Sequence, residues 1–256
     1  MVGSQVPMTP GPNLSDNGAR KLLSVPMAER ILTDSPRDAR YDAVCRRCVR
    51  LAAFLDTVRV EYPRYWCKPV PPFGDSKARL VIVGLAPGMH GANASGRPFT
   101  GDHAGILLYQ TLHAYGWSNQ TGGARRGDGL QLWGCRITNA VKCLPPQNKP
   151  LPSEIANCNG YLAADLATLP PGAAVLALGR IAHDAALRAL GKRVRSFAFA
   201  HGARHDLDLA APGIALFDSY HCSRYNTNTR RLTPAMFRQV FDGIAAHLGM
   251  PTQVAA

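Results

Sequence analysis

Four short apolar runs, each closed by a glycine or a polar residue, set what this chain can fold into. RLVIVGL (79–85), CRITNAV (135–141), AAVLALG (173–179) and IALFDSYH (214–221) have strand length. Their apolar stretches read as strands buried on both faces. HAGILLYQTLHAYG (103–116), PSEIANCNGYLAADLATL (152–169), RIAHDAALRAL (180–190) and PAMFRQVFDGIAAHLG (234–249) carry helical character and separate or follow those runs. Strands alternating with helices imply an α/β fold, a three-layer α/β/α sandwich around a four-stranded, mostly parallel central sheet. Ligands in such folds sit beyond the carboxyl ends of the strands, and three of the four ends here carry candidate chemistry.

A chain of 256 residues, 46% of them hydrophobic, can bury one sizeable core. Residues 1–35 are rich in Pro, Gly, Ser and Asn without periodicity. They read as a flexible tail, followed by a single domain over 36–250 and a short tail over 251–256. No apolar run approaches the roughly 18 residues needed to cross a bilayer, and the first residues lack the apolar core of a signal peptide. The expected compartment is the cytoplasm, the expected state a monomer. In RYDAVCRRCVRLAAFLDTVR (40–59), Val44, Cys48, Leu51, Leu55 and Val58 recur at steps of four and three, which predicts a helix with Cys45 and Cys48 on nearly one face. The formal charge of +12 comes chiefly from arginine-rich segments at 188–204 and 224–238. It points to a polyanionic partner held by salt-dependent phosphate contacts.

The first strand runs into GLAPGMHGANASGRPFTGD, a glycine-rich loop that ends in an aspartate. It has no Gly-Lys-Ser/Thr ending, so it is no P-loop, and its glycines do not fall at the G-x-G-x-x-G spacing of a dinucleotide fingerprint. Glycines at 84, 88 and 91 let the backbone approach a ligand closely. Asp102 stands immediately before a helix, where it is equally a helix N-cap and a candidate catalytic carboxylate.

Seven cysteines form no obvious disulfide framework. Cys45 and Cys48 make one C-x2-C pair. Cys143, in the loop after the second strand, and Cys158, in the next helix, make a second. Together they offer a four-thiolate site suited to zinc or to a 4Fe-4S cluster. Cys67, Cys135 and Cys222 are left over, and Cys135, inside a strand, reads as a buried thiol.

These features together resemble the family 5, UDGb-type, iron-sulfur uracil-DNA glycosylases. The resemblance runs from about residue 45 to 232 and rests on three signatures: the loop GLAPGMHGANASGRPFTGD, the segment HCSRYNTNTRRLT (221–233) and the four cysteines. It implies a 4Fe-4S cluster on Cys45, Cys48, Cys143 and Cys158, and hydrolysis of the bond between a damaged base and deoxyribose. The DNA would contain uracil or another deaminated base such as hypoxanthine, and the product would open base excision repair. Such an enzyme extrudes the base, stacks it, reads its edge and stabilises an anionic leaving group beside a cationic sugar.

On that resemblance Asp102 orients water and stabilises the sugar cation, Asn139 reads the base edge, and His221 hydrogen-bonds the base carbonyl as charge develops. Gly84, Ala86, Gly88, His90 and Gly91 shape the base site, Phe99 stacks the base, and Asn226 assists the pocket. Tyr225 enters the duplex gap, while Arg224, Arg230 and Arg231 hold phosphates. Ala86, Pro87 and Gly88 stand where other glycosylase families place a polar residue, which weakens strict uracil specificity. The second signature lacks two prolines that the family often carries, at Cys222 and Arg224, and has Arg230 where the family often has glycine. No lysine in the motifs offers a Schiff base, so strand cleavage is not expected. The rival readings are a protein that captures uracil-DNA without turnover and a nucleotide-binding α/β enzyme acting on small phosphates.

Overall fold

The computed structural model describes residues 1–3, 41–207 and 213–250. The expected tails fall outside these residues, apart from 1–3. A helix, α1 (Val49–Glu61), is followed by two strands, β1 (Phe73–Gly74) and β2 (Leu80–Gly84). Next come the one-turn α2 (Ala92–Ser95), α3 (His103–Ala114), β3 (Cys135–Asn139) and α4 (Pro152–Leu166). The chain continues through β4 (Ala174–Leu178), α5 (Arg180–Ala189), β5 (Arg204–Asp206), β6 (Ala215–Ser219), the short α6 (Arg224–Asn228) and α7 (Pro234–His247).

The strands form one sheet in the order β1-β3-β2-β4-β6-β5. The inner four are parallel and are the four apolar runs. Six strands therefore replace the expected four. The two additions are antiparallel edges of two and three residues with partly exposed side chains. Such short, polar edges leave no apolar run to read.

Side chains of the inner strands alternate between two cores. Leu80, Ile82, Ile137, Leu176 and Phe217 face α3 and α7, meeting Leu108, Leu112, Phe237, Phe241 and Ile244. Val81, Val83, Val175, Ala177 and Leu216 face α4 and α5, meeting Leu162, Leu166, Ala182, Ala186 and Leu187. At about 1.5–3 kcal/mol for each large apolar side chain fully buried, these two layers hold the sheet rigid. From β2 the chain moves to β3 on one side and then crosses to β4 on the other. That reversal opens a crevice at the carboxyl ends of the strands, where ligands bind in open α/β sheets.

One expectation needs correction. The first helix begins at Val49, with Cys48 as its extended N-cap residue and Cys45 outside it. Leu51, Leu55 and Val58 are buried as the periodicity requires, but Val44 is 76% exposed. The cysteines thus lead into the helix rather than lie along it.

Candidate active site

Three strand ends build one cavity of about 450 Å³. The loop after β2 gives Leu85, Ala86 and Gly88, the end of β3 gives Asn139, and the segment after β6 gives His221, Ser223 and Arg224. Phe99, Asp102, His103 and Asn148 stand in the wall as well, with Ala92 and Ala104. The volume is within the range of small-molecule sites.

Gly84 lies beside Asn139 in the parallel register of β2 and β3. A Cβ there would come within 2.4 Å of Asn139 Oδ1 and 2.8 Å of the Phe99 ring. Gly84 therefore shapes the site from behind, by letting an amide and an aromatic ring converge. Asn139 is 3% exposed. Phe99 holds a left-handed backbone, φ 53, uncommon for a bulky residue and a mark of a position fixed by its surroundings. Those surroundings are visible. Tyr109 Oη donates to Pro98 O at 2.9 Å, and the Arg97 guanidinium donates to Thr100 Oγ1 and, through both terminal nitrogens, to the Asp128 carboxylate at 2.8 Å each. The Phe99 ring lies 5.8 Å from that of His221, at 27°.

Asp102 caps α3 and also lines the cavity. Its Oδ1 accepts from Gly105 N–H at 3.1 Å as the N-cap of α3. Its Oδ2 faces Gly91 and Gly88, at 3.5 Å from where a Gly88 Cβ would stand. Burial raises its pKa despite the backbone N–H groups at the start of α3, so the ionised form is held at a cost. His221 is shifted the other way. Burial lowers its pKa to about 4, so it is neutral at physiological pH and offers one N–H donor and one lone pair.

The remaining expected residues fall around this cavity rather than in it. His90 and Gly91 line an adjoining open groove, and His90 Nδ1 lies 2.9 Å from Tyr65 Oη. Asn226 donates from Nδ2 to the His221 carbonyl at 2.8 Å, so it fixes the backbone that carries the histidine. Tyr225 projects from the first turn of α6, 70% exposed. Arg230 is exposed, and the exposed Arg231 stacks its guanidinium 4.6 Å over the Tyr220 ring.

Sequence reasoning missed His103, Asn148 and Ser223. His103 Nε2 lies 2.9 Å from Thr227 Oγ1, joining the start of α3 to α6 across the mouth. Ser223 is the N-cap of α6 and accepts from Asn226 N–H at 3.4 Å. Asn148 ends a turn at φ 56. A polar residue after two prolines signals a turn, but nothing local places that turn at a cavity.

The four cysteines line a second, small cavity with Leu51, Val141 and Tyr161. Lys142 N–H donates to Cys158 Sγ at 3.3 Å and Asn157 Nδ2 to Cys48 Sγ at 3.8 Å. A single zinc at the usual Zn–S length of about 2.3 Å would draw its sulfurs to about 3.8 Å apart. Among the described residues no three of these sulfurs lie within 4.8 Å of one another. In this arrangement the sulfurs stand wider apart than one tetrahedral ion would hold them, and four thiols in an apolar shell are a donor set for a thiolate-bound group. Cys135 and Cys222 are fully buried, and Cys67 is nearly so.

A family model described as the uracil DNA glycosylase superfamily matches residues 71–245. The type-5 uracil-DNA glycosylase of Thermus thermophilus is 45% identical over 201 residues, 77% of this chain and 90% of that one. That of Pyrobaculum aerophilum is 41% identical over 209 residues, 80% and 89% of the two chains. A type-4 uracil-DNA glycosylase of P. aerophilum is 34% identical over 159 residues, 62% and 73%.

Proposed function

Because the chain belongs to the uracil DNA glycosylase superfamily, we propose that it excises uracil from DNA by hydrolysing the N-glycosidic bond. Hypoxanthine and other deaminated bases are further substrates in this reading. The observation that carries it is the convergence of Phe99, Asp102, Asn139 and His221 on one cavity at the sheet's carboxyl edge.

The flipped base stacks against Phe99, and Asn139 donates to and accepts from its edge. Leu85, Ala86 and Gly88 present backbone rather than polar side chains, so the pocket fixes the base without a side-chain gate at that point. As the C1′–N bond lengthens, negative charge spreads onto the base carbonyl. Neutral His221 answers it with a hydrogen bond that strengthens toward the transition state. Asp102 Oδ2 stabilises the sugar cation and orients the water that attacks C1′. The water oxygen bonds to C1′, the base leaves with the bonding electron pair and is protonated, and an abasic site remains. Lys142, in the loop after β3, is buried and ion-paired with Asp165 at 2.8 Å, which keeps that amine from lyase chemistry.

Cys45, Cys48, Cys143 and Cys158 hold a 4Fe-4S cluster in this reading. When bound, the cluster cross-links the entry to α1, the loop after β3 and α4, and its role is structural. The test is release of free base under multiple-turnover conditions from duplexes that each carry one lesion. Uracil should be released catalytically, and binding without turnover would sink the reading. The purified protein should contain iron and absorb broadly near about 400 nm, whereas a colourless, zinc-containing, active preparation would remove the cluster from it.

A further inference from the structure

The turn Gly88–Gly91 is the seat of the Asp102 side chain. A Cβ at Gly91 would fall 2.5 Å from Asp102 Oδ2, 2.7 Å from its Cβ and 2.9 Å from its Cγ, so the backbone there lies directly against the carboxylate. A Cβ at Gly101 would meet the His90 carbonyl at 3.4 Å, which extends the contact by one residue on each side. The capping bond from Gly105 N–H holds Oδ1, and the direction of Oδ2 is left to the turn.

The turn is fastened from within and from without. On the inside, Ser95 Oγ lies 3.0 Å from the Gly91 carbonyl and 3.2 Å from that of Thr100, joining the turn to the residues before Asp102. On the outside, Met89 packs with Leu55 and Val58 of α1. His90 is exposed at the tip, yet its Nδ1 lies 2.9 Å from Tyr65 Oη. Its ring meets Tyr62 edge-on at 5.6 Å and Tyr65 at 6.0 Å, and the two tyrosines stack 4.6 Å apart at 16°. Both arrangements are favoured aromatic geometries.

The tyrosines have their own supports. Tyr62 N–H closes α1 on the Val58 carbonyl at 2.8 Å, and Tyr65 N–H bonds back to the Tyr62 carbonyl at 3.0 Å. The next two residues grip the far end of the same loop. Trp66 N–H donates to the Ala94 carbonyl at 3.1 Å and Cys67 N–H to that of Asn93 at 3.2 Å. Residues 62–67 thus hold the loop at both ends of its run from His90 to Ala94, and none of them lines the base cavity.

We propose that Tyr65 and His90 are positioning residues for the Asp102 carboxylate, a clasp that holds the turn against it from outside the base cavity. His90 then acts on the reaction through the seat, without touching the base. The proposal rests on the glycosylase reading, in which Asp102 Oδ2 serves the sugar cation and the attacking water. A carboxylate that can turn away loses the geometry that speeds the reaction, and a misplacement of about 1 Å can cost about 10²-fold.

The test compares Tyr65→Phe, which keeps the aromatic stack and removes the hydroxyl, and His90→Ala with the unaltered protein. Single-turnover uracil excision at saturating enzyme should slow about tenfold in both, with affinity for the substrate duplex kept. In an Asp102→Asn background His90→Ala should cost no further rate, because the charge it positions is gone. A second readout is pH. Asp102 is faced by His103 and Tyr109 of α3, by Cys222 and, across the cavity, by His221 and Arg224, none of which the two substitutions alter. Burial raises its pKa, so a loosened seat admits water and lowers it. The acid limb of excision, and the Asp102 signal in NMR of isotopically labelled aspartate, assigned through Asp102→Asn, should both move to lower pH in His90→Ala. Undiminished rates in both variants, an equal His90→Ala loss in the Asp102→Asn background, weakened affinity with a normal rate at saturation, or an Asp102 titration that stays in place would overturn the clasp. Absence of uracil release by the unaltered protein would sink the glycosylase reading, and the NMR titration would then still decide the clasp.

Discussion

Two histidine–carboxylate settings flank the end of β6, and they are tuned in opposite directions. Inside the fold, Asp218 on β6 is fully buried and accepts from two imidazoles, His183 Nδ1 at 2.8 Å and His205 Nε2 at 3.0 Å. His183 Nε2 also faces the Phe197 carbonyl at 3.0 Å, so both ring nitrogens point at acceptors, which requires the imidazolium form. Burial alone would lower the His183 pKa, but the Asp218 carboxylate and the Phe197 carbonyl outweigh it and raise it. Three residues after Asp218, at the pocket, His221 has no such partner and its pKa falls to about 4. Asp102 has only backbone N–H groups and its pKa rises. The difference separates two uses of the same residue types. Where histidine and carboxylate satisfy each other, the charge holds the fold. Where each is desolvated alone, the place of the partner is open to a ligand, as the proposed mechanism requires.

Removing Asp218 should be the largest effect. Asp218→Ala leaves a buried imidazolium unpaired and should cost about 3–5 kcal/mol of stability in urea unfolding. A loss under about 1 kcal/mol, the scale of an exposed pair, would erase the distinction. Next is Asp102→Asn. It keeps shape and the N-cap acceptor but removes the charge, so single-turnover excision should slow by about 10²–10³-fold while the melting temperature holds or rises. A normal rate with lowered stability would return Asp102 to capping alone. Tyr225→Ala touches neither setting and sharpens the contrast. It should slow excision about tenfold for uracil opposite adenine, less opposite guanine, and hardly at all in single strands, because unpairing is least costly there. Equal losses on all three would move Tyr225 from wedge to pocket.

The smallest effect is on pH dependence. A raised folded pKa for His183 gives stability that is fully present below the unfolded value of about 6.5 and is lost as pH rises through the folded value. His221 has the opposite sign. Its lowered pKa gives stability present above about 6.5 and lost as pH falls toward about 4. Urea unfolding across pH should show both limbs. Asp218→Asn should flatten the alkaline limb and leave the acid one, and loss of both limbs together would mean that the two histidines are not independent.

Much of this was legible in the chain. Much of each inner strand announced itself because burial on both faces favours a continuous apolar run, as in LVIVG and AVLAL, and the loop from Gly84 to Asp102 drew attention through its glycines. The Asp218 network was silent. A histidine in a helix, a histidine on a short edge strand and an aspartate inside IALFDSYH carry no shared pattern, and only the sheet brings them together. The misplaced start of α1 has a physical cause as well. Cys48 lies in helical phase with Leu51, but its sulfur belongs to the four-cysteine cavity, so the chain turns before Val49. Asn226 shows a further limit: sequence marks an amide, while its partner, a backbone carbonyl five residues back, is set by the turn into α6.

For anyone redesigning which base this protein accepts, Phe99 narrows the choices before chemistry enters. At φ 53 a β-branched replacement such as valine or isoleucine meets backbone conflict whatever its fit to a new base. Glycine would relieve the backbone and abandon the aromatic face that lines the cavity. Workable libraries at that position are confined to unbranched or planar side chains. The ring's neighbour at Gly84 admits no enlargement at all, so changes of shape are left to other residues that line the cavity, Ala86, Asn148 and Ser223 among them.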